Sequence, residues 1–127
     1  MSRKRVLVVD DEPDLVVVIK KYLEDEGFAV ETAYNGVEAI AKVKASPPDA
    51  IVLDVMMPEK DGYATCAELK NDEKYSGIPI ILLTAVADHV SSTRYSHFDG
   101  MSTQADDYLP KPASAQAICE SVKSLIG

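Results

Sequence analysis

Residues 6–27 read VLVVDDEPDLVVVIKKYLEDEG, and this stretch decides the fold class. The run VLVV at 6–9 is short, continuous and β-branched, the pattern of a strand buried on both faces of a parallel sheet. It ends abruptly in the acidic pair Asp10-Asp11. A helix is expected over 13–26, because Leu15, Val18, Ile19, Tyr22 and Leu23 recur at helical spacing and would form its buried stripe. Pro13 suits the first helical turn, and Gly27 suits the cap that ends it.

The same strand-then-helix unit repeats along the chain. Strands are expected at 5–10, 29–33, 50–54, 78–84 and 107–110. Helices are expected at 36–45, where Val37, Ile40, Ala41 and Lys44 fall at helical period, and at 61–71, with Asp61 as its N-cap. A further helix at roughly 88–99 would bring Val90, Arg94, His97, Phe98 and Met101 near one face. The last, at 114–126, is striped by Ile118, Val122, Leu125 and Ile126. Ser46-Pro47-Pro48-Asp49 breaks the second helix from the third strand. Five βα units imply a single α/β domain over 1–127, a doubly wound five-stranded parallel sheet with helices on both faces.

Composition narrows the function. At 127 residues and 46% hydrophobic content, the chain is sized for one core. No apolar run approaches the ~20 residues of a bilayer span. MSRKR leads directly into a strand, so a cytoplasmic protein without a signal peptide is expected. The net charge of −8 argues against direct contact with nucleic acid or an anionic membrane. Cys66 and Cys119 have no metal or redox spacing and are expected as unbridged thiols inside helices. His89 and His97 lack partners at ligand spacing.

Ligands of open α/β sheets bind beyond the carboxyl ends of the strands. That edge collects Asp10 and Asp11 from strand one, Asp54 from strand three, Thr84 from strand four and Lys111 from just past strand five. Strand two contributes nothing reactive, which fits an outer place in the order 2-1-3-4-5. Clustered carboxylates repel one another unless a hard divalent cation joins them, which suggests magnesium-dependent phosphate chemistry. Neither GxxxxGK[ST] nor GxGxxG occurs, so no glycine loop cradles a nucleotide. Each acid alone is equally well explained as a turn or cap residue. Five reactive groups on one edge are not.

With Asp10-Asp11, LDVMMPEKDG around Asp54, Thr84-Ala85, and DDYLPKP carrying Lys111-Pro112, the chain resembles the receiver domains of two-component response regulators, from about residue 4 to 126. The resemblance implies a flavodoxin-like, chemotaxis-regulator-like fold. It implies that Asp54 accepts a phosphoryl group from a sensor histidine kinase or phosphotransfer protein. It further implies that the Asp11 and Asp54 side chains and the Met56 backbone carbonyl bind Mg2+, or Mn2+ in its place, with Asp10 holding metal-bound water. Lys111 and Thr84 would contact phosphoryl oxygens, as would the backbone N–H of Ala85. Thr84 and Tyr108 would form a switch that repacks the helix at 88–99, the fifth strand and the last helix for a downstream protein target. The Lys111–Pro112 bond is expected to be cis. A signalling domain is implied rather than an enzyme, monomeric or dimerising on phosphorylation, and assisting only its own phosphorylation and dephosphorylation.

Two departures stand out. Thr84 and Lys111 lie 27 positions apart, several more than receivers usually have, with Met101-Ser102-Thr103-Gln104 as the extra residues. Ala113 stands where a large aromatic commonly follows Lys-Pro, leaving less packing at the start of the last helix. Glu12 reads as favourable charge at a helix start and stays outside the expected core site. An alternative is a receiver segment of a longer regulator with a DNA-binding or enzymatic output domain. An aspartyl-phosphate phosphohydrolase would need a second Asp at position 56, where this chain has Met56.

Overall fold

The computed structural model describes residues 3–57, 61–84 and 105–127. The helix expected at 88–99, the extra residues Met101 to Gln104 and the backbone of Ala85 lie outside them. The elements run β1 (Arg5–Val9), α1 (Pro13–Asp25), β2 (Ala29–Ala33), α2 (Gly36–Ala45), β3 (Ala50–Asp54), α3 (Gly62–Lys70), β4 (Ile80–Thr84), β5 (Asp107–Pro110) and α4 (Ala115–Ile126). All strand pairs are parallel, and the order is β2-β1-β3-β4-β5.

The buried runs divide by parity between two layers. Leu7, Val9, Ile51, Leu53, Ile80 and Leu82 pack with Ala39, Ile40 and Val43 of α2 and with Cys66 and Leu69 of α3. Their neighbours Val6, Val8, Val52, Ile81 and Leu83 face the other way, onto α1 and α4. Side chains alternate across a strand, so one continuous apolar run feeds both cores. That alternation explains why β3 and β4 contain no polar residue until their last position, and β1 none after Arg5.

Helix ends follow local chemistry. Asn35, Asp61 and Ser114 accept from the backbone N–H of Glu38, Ala64 and Ala117, at 2.8, 2.8 and 3.0 Å. Past the end of α1, Gly27 takes φ +100°, a left-handed backbone that a side chain would strain. Pro79 donates no hydrogen bond, and β4 starts at Ile80 rather than at 78.

Two helix faces are corrected. The buried stripe of α1 is Val16, Ile19 and Leu23; Leu15 and Tyr22 are half-buried, while Val18 is exposed. Residues 15–19 are all apolar, so periodicity alone left the helix free to rotate by about one residue. In α2 the buried residues include Ala39, Ile40 and Val43, and Val37 is exposed. The small Gly36 and Ala39, which carry little hydrophobic signal, lie on the buried face too. Cys66 and Cys119 are buried in α3 and α4 and form no disulfide.

Candidate functional site

β1, β3 and β4 end at the same level of the sheet, because Val9 is registered with Leu53 and Asp54 with Leu83. Asp10 follows β1 directly, its N–H donating to Ala33 O at 3.1 Å. Asp54 closes β3. On the far side, the Lys111 N–H donates to Thr84 O at 2.5 Å, which ties the exit of β5 to the end of β4. The Lys111–Pro112 bond is cis.

These connections bring four charged side chains together. Lys111 Nζ lies 3.1 Å from Asp54 Oδ1, 3.6 Å from Asp10 Oδ2 and 3.8 Å from Glu12 Oε1. Asp10 and Asp54 are 0% and 1% exposed, deep burial for carboxylates. Asp10 Oδ1 accepts from the Glu12 N–H at 3.0 Å, and Asp54 Oδ1 accepts from the Met56 N–H at 3.4 Å. Asp10 Oδ2 and Asp54 Oδ2 are buried with no hydrogen-bond partner among the described residues. Such orphaned charged oxygens are costly unless something else satisfies them.

Burial pushes the Asp10 carboxyl up to about 6, with the Glu12 N–H and Lys111 opposing and the Asp54 charge adding. Asp54 is likewise raised by burial, against the pull of its Lys111 hydrogen bond. Burial alone would lower Lys111, but Asp54, Asp10 and Glu12 together raise it, keeping it charged. One ammonium thus faces three carboxylates.

The carboxylate oxygens of Asp10, Asp11 and Glu12 can lie within 4.8 Å of one another. Asp11 and Glu12 are exposed, whereas Asp10 is buried. This all-oxygen set, beside the two orphaned oxygens, suits a hard cation such as Mg2+. It includes Glu12, which the sequence reading set aside, and not Asp54. Met56 is 59% exposed beside Asp54, Thr84 is half-buried at the end of β4, and Tyr108 is 44% exposed on β5.

Gly62 was also missed as a site-shaping residue. A Cβ there would stand 2.3 Å from the carbonyl oxygen of Asp54 and 2.7 Å from Val55 Cα. The Gly62 N–H donates to Val55 O at 3.0 Å, so the start of α3 packs directly on the backbone that carries Asp54. The sequence signal was Asp61-Gly62 at a helix start, which local turn chemistry explains equally well.

Known proteins resemble this chain in sequence and fold. The family model described as "response regulator receiver domain" matches residues 6–123. The probable transcriptional regulator ycf27 of Cyanophora paradoxa is 39% identical over 99% of this chain and 49% of its own length. PhoP of Bacillus subtilis, an alkaline phosphatase synthesis transcriptional regulatory protein, is 37% identical over 97% of this chain and 48% of its own. The chain therefore spans about half the length of the curated relatives it matches. Among solved structures, the signal receiver domain of a signal transduction histidine kinase from Syntrophus aciditrophicus superposes with TM-score 0.85 at 36% identity, covering 97% of this chain and 89% of that one. The chemotaxis response regulator CheY4 of Vibrio cholerae gives TM-score 0.83 at 27% identity, covering 98% and 99%. The chain belongs to the response regulator receiver domain family of two-component signalling.

Proposed function

We propose that this chain accepts a phosphoryl group on Asp54 from a phosphohistidine of a sensor histidine kinase or phosphotransfer protein. The observation that carries the reading is the buried Asp54 carboxylate, with one oxygen on Lys111 and the other without a partner. The orphaned Oδ2 is the candidate nucleophile. It would form the new O–P bond as the donor's N–P bond breaks, the electron pair leaving on the imidazole nitrogen. Lys111 Nζ would move from carboxylate to phosphoryl oxygen, meeting charge that spreads over the transferring group.

Thr84, joined to Lys111 through the β4–β5 ladder, would offer its hydroxyl to a second phosphoryl oxygen, and the Ala85 N–H would serve a third. Asp11, Asp54 and the Met56 carbonyl would hold Mg2+ or Mn2+, and Asp10 a metal-bound water. The ion supplies charge neutralisation for the phosphoryl oxygens. Movement of Thr84 toward the phosphoryl group, with Tyr108 following, would change the face that a downstream protein target reads.

The test is incubation with Mg2+ and acetyl phosphate, followed by intact mass measurement of wild type and Asp54→Asn. Wild type should gain one phosphate and the variant none. A persistent one-phosphate shift in the variant would overturn the assignment. Size-exclusion chromatography with a beryllofluoride mimic distinguishes a monomer from a phosphorylation-dependent homodimer.

A second reading, a receiver segment of a longer regulator, is favoured by relatives about twice as long that are named transcriptional regulators. DNA binding or catalysis would then belong to the remaining length. The native open reading frame decides between the two.

A further inference from the structure

We propose that the phosphoacceptor site continues into an apolar subsite that takes the neutral, hydrophobic part of a phosphodonor's leaving group. The inference rests on Asp54 being the phosphoacceptor. A cavity of about 370 Å3 is walled by Leu15, Leu83, Pro112, Ala113 and Ile118. Among the described residues, the rest of its lining is Glu12 and Lys111. The volume is near the low end of small-ligand pockets, which run from roughly 300 to 1,000 Å3, and suits a group of about one ring.

Its position ties it to the chemistry. Lys111 lines the cavity and also stands 3.1 Å from Asp54 Oδ1. Leu83, another wall, is the β4 residue registered with Asp54. The cavity is therefore one side chain away from the carboxylate. A phosphoryl group paired with Lys111 brings whatever it is bonded to alongside these walls. Glu12 disfavours an anionic tail there, and the five apolar walls reward an uncharged one. Ala113 keeps the space open: it is half-buried against the cluster that contains Leu83 and Ile118, and its methyl group reaches no further. An aryl acyl phosphate meets these demands. On transfer, an Asp54 oxygen bonds to phosphorus, the acyl O–P bond breaks, and the carboxylate departs with the electron pair.

The experiment compares benzoyl phosphate with acetyl phosphate, whose leaving groups are similarly acidic. The second-order rate of phosphate addition to Asp54 is followed by intact mass, with Mg2+, in wild type, Ala113→Phe and Ala113→Leu. Wild type should prefer benzoyl phosphate about tenfold, the discrimination that one or two methylene-sized groups give in an apolar pocket. The preference should fall toward unity in both variants, whose own side chains fill the space. An equal preference in wild type and variants overturns the subsite.

A measurement on unaltered protein guards against a misfolded variant. Benzylphosphonate, which cannot transfer its phosphoryl group, should shift the methyl NMR signals of Leu15, Leu83 and Ile118 more than methylphosphonate does. Equal shifts from the two compounds count against the proposal. If neither acyl phosphate modifies Asp54, the phosphoacceptor reading has failed, and the subsite falls with it.

Discussion

Lys111 Nζ meets three carboxylates within 3.8 Å, and no other described cation is recorded in contact with Asp10 or Asp54. Replacing it with Met removes both the candidate phosphoryl contact and the counter-charge of two buried acids. Loss of one such donor typically costs about a hundredfold in rate. Lys111→Met should therefore slow acetyl phosphate transfer by about that factor, measured by intact mass under Mg2+. A loss under about threefold would remove Lys111 from the mechanism. Gly62 makes a different demand, for space. Gly62→Ala would press a methyl against the Asp54 carbonyl, and neither backbone can yield cheaply. The expected cost is about 3 kcal/mol, roughly 10 °C in Tm. The cluster of Asp10, Asp54 and Lys111 was legible because each sits at or just past a strand end. Glu12 and Gly62 were not, since helix-start chemistry accounts for both residue types without reference to a site.

Elements are held in register by contacts that no motif announces. Lys70, the last residue of α3, is 7% exposed at its side chain. Its Nζ donates to Asp106 Oδ2 at 2.9 Å and to Ile78 O at 2.8 Å. The same Asp106 oxygen accepts from the Ile80 N–H at 2.8 Å. This clamp joins the end of α3 to the starts of β4 and β5, at the edge of the sheet opposite the acids. Asp106→Ala should leave Lys70 half-paired and expose the β4 start, costing about 2 kcal/mol in urea-induced unfolding. Phosphorylation of Asp54 should survive, because the clamp touches none of its groups. An unchanged unfolding midpoint would show that the pair is a loose surface contact. Strand and helix positions were legible from period and caps, but helix phase was not. In α1, five consecutive apolar residues satisfy several rotations, and only docking on β1, β2 and α4 selects Val16 over Val18.

At the scale of the whole molecule, the sheet order followed from which strands carry reactive ends. The segment between Thr84 and Ala105 lies outside the described residues, so the expected fourth helix and the extra residues stay as sequence expectations. The described fold buries two carboxylates at one end of the sheet, each with an oxygen that has no hydrogen-bond partner among the described residues. Asp10 ordinarily loses its proton near 3.8, but in the folded chain it does so at about 6. The folded state therefore holds the proton more tightly than the unfolded chain. This contribution is fully stabilising below about 4 and is lost as pH rises through 6. Asp54, also raised, acts with the same sign. Metal-free protein should consequently lose about 1–3 kcal/mol from this edge between pH 4 and 7, against whatever other groups contribute. Asp10→Asn isolates the effect. An Asn Oδ1 still accepts from the Glu12 N–H, while the buried negative charge is gone. Without divalent cation at pH 7, the variant should melt a few degrees above wild type, and the difference should close toward pH 4.5. Millimolar Mg2+ should raise wild type at pH 7 and raise the variant less, because the cation also offsets the buried Asp10 charge, while the proposed ligands Asp11, Asp54 and the Met56 carbonyl remain to hold it in both. The order of melting temperatures across those conditions checks the claim directly. If wild type is the more stable at pH 7 without metal, the buried carboxylate is compensated by Lys111 alone and the edge needs no ion.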